Sequence, residues 1–241
     1  MSAPGSGLSL LRPLFRLASA AIMVQGFRNI GNLQIDIVIR NQYGGHLQYL
    51  TMQGLAFAVL TMLIGATMDL IPPLKPLLRG IRRCFFIAAM PLAVIISSIY
   101  WTLLLLFPHL IIDPRAGPGN PSTPSSSEIA PPPFRLPLSV DFPLHAVPAI
   151  SLLVDFLAFE PKYRRKEVNI GVPLVVGLYA CFYGAWVEHC AARNDGVFPY
   201  PFLTQSPFEV RVVIYAGAAL LAILSFRILN RIHPRATVVS A

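Results

Sequence analysis

Long apolar runs separated by short polar segments dominate the chain. Five runs are clear, at residues 47–69, 84–108, 142–159, 168–188 and 210–229, and a weaker one covers 8–27. Each is close to the roughly 20 residues that an α-helix needs to cross the hydrocarbon core of a bilayer. The pattern therefore predicts an all-α, polytopic transmembrane helical bundle with six spans, formed by residues 1–241 as one domain.

The weaker run is interrupted by charge. Arg12 and Arg16 lie within it, and only the segment from Leu17 to Phe27 is free of charged residues. That segment is too short to cross a bilayer by itself. We therefore expect the two arginines to snorkel towards the polar surface, or the helix to lie partly in the membrane interface.

Composition agrees with a membrane protein. Of the 241 residues, 55% are hydrophobic and only 12% are charged, whereas about 25% of a soluble domain is charged. The net charge of +8 comes largely from basic segments at the ends of the apolar runs, including 75–83, 162–166 and 227–235. Because basic residues concentrate in cytoplasmic loops, this distribution favours both termini in the cytoplasm and gives no reason to expect nucleic-acid binding.

One long segment is polar. Residues 113–137 are rich in proline and serine, so they cannot build a packed core, and we expect a disordered loop on the non-cytoplasmic side. The three cysteines, Cys84, Cys181 and Cys190, have neither a metal-binding spacing nor the even number of a disulfide framework.

Two polar side chains are predicted at matching depth. In this topology spans two and four both begin at the outer face, which places Thr51 and His145 roughly 5 Å inside the membrane. If the two spans are neighbours, the hydroxyl and the imidazole can come within hydrogen-bond distance, which is the minimal arrangement of an activated nucleophile. The alternatives are that the Thr51 hydroxyl donates a hydrogen bond to a backbone carbonyl of its own helix, and that His145 is a hydrated side chain at a helix end.

Two carboxylates could support this pair. Asp141 precedes His145 by four residues and can share a helix face with it, although it can equally cap the helix that contains Pro143. Asp155 lies about 15 Å further along the span, too far to contact His145. An acidic group within a span faces either a polar cavity or a structural hydrogen-bond partner.

Four segments resemble signature regions of a known family. They are YGGHLQYLT (43–51), SIYWTLLLLFP (98–108), LHAVPAISLLVDF (144–156) and WVEHCAARNDGVFPYPFL (186–203). They follow the order found in the androgen-induced membrane protein family, over nearly the whole chain. The sequence departs from that family after the histidine, where Ala146, Val147 and Pro148 replace small hydroxyl residues, and at Glu188–His189, where the family has paired histidines.

The resemblance implies an enzyme. What it implies is a multi-pass hydrolase that cleaves fatty acid esters of hydroxy fatty acids with a threonine nucleophile and a histidine base, and these two residues fall on Thr51 and His145. Gln48, Tyr49 and Gln53 are candidates for stabilising the oxyanion, and His189 is a further supporting candidate. No cofactor or metal is expected. The expected partners are an acyl-chain lipid substrate and membrane lipids, in the endoplasmic reticulum or another endomembrane, with the plasma membrane second.

Two other functions stay open at this stage. His46, His109, His145 and His189 all fall near the outer face and, with Glu188 or Asp141, could bind a metal that activates water. Alternatively, the protein is a non-catalytic lipid-binding scaffold or a carrier. The sequence does not indicate an oligomeric state.

Overall fold

The computed structural model describes residues 6–110 and 135–234, with side chains described from Leu10 onward. All regular structure in these ranges is helical. The α-helices are α1 (Ser6–Ile30), α2 (Gln34–Asn41), α3 (Leu50–Leu70), α4 (Lys75–Leu106), α5 (Leu138–His145), α6 (Val147–Ala158), α7 (Val172–Ala192), α8 (Pro201–Thr204) and α9 (Phe208–Ile232). Single 3₁₀ turns cover Gly45–Gln48, Pro72–Leu74 and Pro108–Leu110, and a π-helical turn, Glu167–Gly171, leads into α7.

Five helical segments are long and apolar enough to cross a membrane. They are Leu50–Leu70, Pro72–Leu106, Leu138–Ala158, Glu167–Ala192 and Phe208–Ile232, and they match the five clear runs of the sequence. The prediction of an all-α polytopic membrane bundle is confirmed. Helix α1 forms where the weaker run was predicted but is not among these five, so the count of six spans and the cytoplasmic termini stay predictions. Of the predicted disordered loop, residues 113–134 lie outside the described ranges.

The core of the bundle lies between α1, α3, α4, α6 and α9. Met23, Met62, Phe86, Phe156 and Phe226 are fully buried there. By contrast, large apolar side chains on the outer faces of α7 and α9 are more than half exposed, for example Leu178, Phe182 and Val213. Such a surface suits lipid, because hydrocarbon solvates apolar side chains at no cost.

The fourth predicted span is not one continuous helix. Helix α5 ends at His145 and α6 begins at Val147, with Ala146 between them. Pro148 explains the break, because a proline has no N–H to donate to the carbonyl of Leu144 and its ring crowds that carbonyl. The imidazole of His145 therefore sits at an interruption in the membrane span.

Arg16 does not snorkel, so the first of the two alternatives expected from the sequence is wrong for this residue. Its side chain is 3% exposed and donates to Asp155 at 2.7 Å and to Asp69 at 2.6 Å. Arg12 also pairs with Asp69, at 2.5 Å. The arginines thus hold α1 against α3 and α6, because a buried charge is tolerated only when it is paired.

The same ionic cluster continues to α4. Arg82 donates to both Asp155 and Glu160, and Arg83 pairs with Glu160 at 3.2 Å and Glu167 at 3.0 Å. Together these links make a cluster of four arginines (12, 16, 82 and 83) and four carboxylates (69, 155, 160 and 167). Its formal charges cancel, so it serves to join helices and does not form a site for an anion.

Candidate functional site

The start of α3 is fixed by a glycine turn. Gly44 has a left-handed backbone, with φ of +86°, and a Cβ at this position would lie 2.6 Å from the sulfur of Cys190. Only glycine therefore allows both the turn and the close approach of α7. The chain then passes through the Gly45–Gln48 turn and enters α3 at Leu50, which puts Thr51 in the first helical turn, buried at 7% exposure.

Thr51 lies in the wall of an apolar cavity. The cavity has a volume of about 150 Å³ and is bordered by α3, α4, α7, α8 and α9. Apart from Thr51 and the hydroxyl groups of five tyrosines, its lining side chains are apolar: Leu50, Leu92, Ile95, Ile96, Ile99, Tyr100, Leu103, Val176, Tyr179, Ala180, Tyr183, Tyr200, Phe202, Leu203, Ile214, Tyr215, Ala218, Ala219 and Ala222. An apolar cavity of this volume can take up a hydrocarbon group about as large as benzene.

The hydroxyl of Tyr200 meets the beginning of α3. It accepts a hydrogen bond from the backbone N–H of Leu50 at 3.1 Å. Burial raises the pKa of Tyr200 above its usual value, and hydrogen bonding with Thr51 opposes part of that rise. The hydroxyls of Tyr200 and Thr51 are therefore neighbours at the same cavity wall.

His145 has a carboxylate partner and an aromatic one. Its Nδ1 lies 2.7 Å from a carboxylate oxygen of Asp141 and 3.1 Å from the Asp141 backbone carbonyl. The ring of Tyr100 stacks on the imidazole, with centroids 3.4 Å apart and planes inclined by 2°. Tyr100 also lines the cavity, so a single side chain connects the imidazole to the cavity that Thr51 lines.

The two candidate catalytic residues, Thr51 and His145, are not hydrogen-bonded to each other. Among the described residues, no hydrogen bond joins Thr51 to His145, whose Nδ1 is held by Asp141. Helices α3 and α5 do pack against each other, and α4 packs against both. Hydrogen bonds between nucleophile and base are often long without substrate and tighten in the substrate complex.

Comparison with known proteins identifies the family. Residues 8–234 match the family described as FAR-17a/AIG1-like protein. The chain belongs to this family. The resemblance to androgen-induced membrane proteins is thereby confirmed. A relative from Schizosaccharomyces pombe (strain 972 / ATCC 24843), described as UPF0641 membrane protein PJ4664.05, is 29% identical over 206 residues, which cover 85% of this chain and 82% of the relative. No solved structure matches.

In this FAR-17a/AIG1-like chain, the three candidates beside Thr51 are all engaged in local contacts. Gln48 is fully buried, and its side-chain amide donates to Gln42 at 2.7 Å. The amide of Gln53 donates to the Leu47 carbonyl at 2.7 Å. The ring of Tyr49 stands edge-on to that of Tyr200, with centroids 5.7 Å apart. These contacts shape the entry into α3.

The remaining candidates lie apart from the cavity. Asp155 belongs to the ionic cluster, so its role matches the structural hydrogen bond that the sequence left open. His189 is exposed and contacts Tyr43, whose hydroxyl is 3.4 Å from its Nε2. Within the described ranges, no group of three or more His, Cys, Asp or Glu side chains is arranged to hold a metal.

Sequence reasoning missed the tyrosines of this FAR-17a/AIG1-like site. Tyr100 and Tyr200 lie in segments that were recognised for their resemblance, SIYWTLLLLFP and VFPYPFL, but neither was assigned a role. For Tyr200, the usable signal was a tyrosine between two prolines in a short segment between two spans. A polar aromatic residue there can reach back to the end of another helix.

Proposed function

We propose that this protein is an integral-membrane esterase that hydrolyses fatty acid esters of hydroxy fatty acids. The observation that carries the proposal is that Thr51 and Tyr100 line the same apolar cavity, while the imidazole of the Asp141–His145 pair stacks on Tyr100. The family relationship supports the proposal, because the resemblance to this family implies a lipid hydrolase with a threonine nucleophile and a histidine base.

The chemistry begins with proton removal. His145 takes the proton of the Thr51 hydroxyl through Nε2, and the resulting oxygen nucleophile attacks the ester carbonyl carbon. The tetrahedral intermediate collapses, the hydroxy fatty acid leaves with the proton from His145, and an acyl-threonine ester remains. Water, deprotonated by His145, then attacks this ester. The second tetrahedral intermediate collapses, His145 returns the proton to the Thr51 oxygen, and the fatty acid is released.

Asp141 acts as a positioning residue. By accepting a hydrogen bond from Nδ1–H, it fixes the tautomer whose Nε2 carries a lone pair, and it stabilises the imidazolium that forms when the proton arrives. Stacking with Tyr100 covers a face of the ring. The lone pair lies in the ring plane, so stacking leaves it available to the nucleophile.

The cavity favours a lipid substrate. Its volume suits a benzene-sized piece of hydrocarbon, so it can enclose the acyl segment next to the ester while the rest of both chains lies in the surrounding bilayer. The substrate would thus reach Thr51 from the membrane, in the endoplasmic reticulum or another endomembrane.

Purified protein in lipid nanodiscs tests the proposal. We expect release of free fatty acid from a fatty acid ester of a hydroxy fatty acid, and a covalent fluorophosphonate adduct that mass spectrometry maps to Thr51. Heat-inactivated protein is the control for spontaneous hydrolysis. Folded protein without turnover, or an adduct on another residue with none on Thr51, would refute the assignment.

Replacing Asp141 with asparagine is expected to lower kcat by roughly 10²-fold with little change in KM. The loss is smaller than the ~10⁴-fold effect of the same change in a serine protease, because the Asp141 backbone carbonyl still accepts from Nδ1 at 3.1 Å. Asp36→Asn is the matched control, since Asp36 makes a similar pair with His46, at 2.6 Å, outside the cavity. Equal losses in the two variants would contradict a positioning role for Asp141.

A further inference from the structure

Five tyrosines line the cavity, and they differ in the hydrogen-bond acceptors of their hydroxyl groups. Tyr179 donates to the Gln53 side chain at 2.7 Å, Tyr183 donates to the Gln48 carbonyl at 3.1 Å, and Tyr215 donates to Glu188 at 3.0 Å. The hydroxyl of Tyr100 interacts with Asp141. These four phenols are engaged by acceptors outside the cavity.

Tyr200 differs from these four tyrosines because its hydroxyl oxygen accepts a hydrogen bond from the backbone of α3. Its oxygen accepts from the N–H of Leu50 at 3.1 Å, and a backbone N–H can only donate. The phenol proton of Tyr200 is therefore left to donate. Two cavity-wall hydroxyls lie beside it, those of Thr51 and Tyr183, and the proton of Tyr183 is already donated to the Gln48 carbonyl. Two contacts hold the ring: an edge-to-face contact with Tyr49 and a stack on Phe202, with centroids 5.6 Å apart.

A hydroxyl in this position faces the place where charge develops. When Thr51 attacks an ester, the carbonyl oxygen becomes negatively charged. It is bonded to the same carbon as the newly attached Thr51 oxygen, so the two oxygens lie next to each other. A fixed donor next to that oxygen stabilises the transition state more than the substrate, because the charge exists only after attack.

We propose that Tyr200 is a catalytic residue that donates a hydrogen bond to the oxyanion formed at Thr51. This inference rests on the proposed function. The phenol keeps its proton throughout: it donates to the oxyanion, and when the intermediate collapses the electron pair returns to the carbonyl as the bond to the leaving alkoxide breaks. The leaving group takes its proton from His145, so Tyr200 ends each half-reaction unchanged.

The amides suggested by the sequence are less suited to this task. Gln48 and Gln53 donate to Gln42 and to the Leu47 carbonyl, and neither is among the residues of the cavity wall. Moving either amide to the cavity would break an existing hydrogen bond. Tyr200 needs only a turn of its O–H bond. Burial also raises its pKa, so the proton that must be donated is retained at neutral pH.

Tyr200→Phe removes the hydroxyl and keeps the ring with its contacts to Tyr49 and Phe202. In nanodiscs, we expect kcat for an oxygen ester to fall by roughly 10²–10³-fold, the usual cost of losing one oxyanion donor, with KM within about threefold of wild type. Tyr163→Phe is the control: it deletes a buried phenol hydroxyl that contacts Glu160 at 3.4 Å, outside the cavity, and should keep wild-type kcat.

A second measurement separates catalysis from packing. Sulfur accepts hydrogen bonds more weakly than oxygen, so a donor to the oxyanion makes the enzyme prefer an oxoester to the matched thionoester. We expect this preference to shrink in Tyr200→Phe by about the same factor as kcat. A variant that lowers both rates equally would show a packing role and overturn the inference. If Tyr200→Phe does not fold, fluorotyrosines at position 200 supply the test, because the rate should change steadily with phenol acidity.

The outcomes also separate this inference from the proposed function. Loss of turnover in Thr51→Ala together with wild-type kcat in Tyr200→Phe would overturn the role of Tyr200 alone. Turnover that survives Thr51→Ala would overturn both.

Discussion

Replacing Thr51 with alanine is expected to lower kcat/KM for the ester substrate by roughly 10⁴-fold or more and to abolish fluorophosphonate labelling. The variant cannot form the acyl-threonine, and the cavity and its hydrogen-bond donors alone give only a small residual rate. Thr51→Ser restores a hydroxyl at the same position and should keep kcat within about tenfold. The measurement is initial rate against ester content in nanodiscs.

Thr61→Ala is the matched control for this prediction. Thr61 is also buried in α3, but its hydroxyl donates to the Phe57 carbonyl one turn earlier at 2.7 Å. Its removal should leave the rate near wild type and cost about 1 kcal/mol of stability. Wild-type turnover in Thr51→Ala, or equal losses at both threonines, would be incompatible with Thr51 as nucleophile.

Asp155→Ala is expected to destabilise the folded bundle by about 3–5 kcal/mol. Asp155 is completely buried and receives hydrogen bonds from both Arg16 and Arg82. Its removal leaves a buried excess of positive charge, which costs far more than the net contribution of an intact pair. The free energy of unfolding in mixed detergent micelles measures the effect.

Glu209→Ala provides the comparison. Glu209 is an exposed carboxylate in the first turn of α9, where its interaction with the helix dipole is worth about 0.3–1 kcal/mol. If Asp155→Ala lowers the free energy of unfolding by no more than Glu209→Ala does, the ionic cluster is not what joins α1, α4 and α6.

The sequence predicted the spans well because the bilayer imposes a strong constraint. The predicted run 210–229 became Phe208–Ile232, and 47–69 became Leu50–Leu70. It did not predict α2, which is short and amphipathic and lies between apolar runs. Nor did it predict that Arg16 would be buried, because the charges that pair with it lie 53 and 139 residues away.

The candidate site was predictable in part. The matching depth of Thr51 and His145 predicted that the two residues lie in the same region of the bundle. The four-residue spacing of Asp141 and His145 predicted their contact. Tyr200 could not be placed this way, because its position depends on how the α7–α9 connection folds over the start of α3. Depth along a helix follows from residue counting, whereas contact across a connection depends on tertiary packing.

The pairing of Arg16 has a consequence for biosynthesis. Arg16 precedes Asp69 by 53 residues and Asp155 by 139, so a growing chain can pair this guanidinium with α3 well before its second carboxylate, on α6, is made. The link from α1 to α3 therefore needs much less of the chain than the link from α1 to α6. A chain that stops short of α6 holds the four arginines of the ionic cluster with Asp69 as the one cluster carboxylate already made, an excess of positive charge that disappears only when α6 and the residues after it are complete.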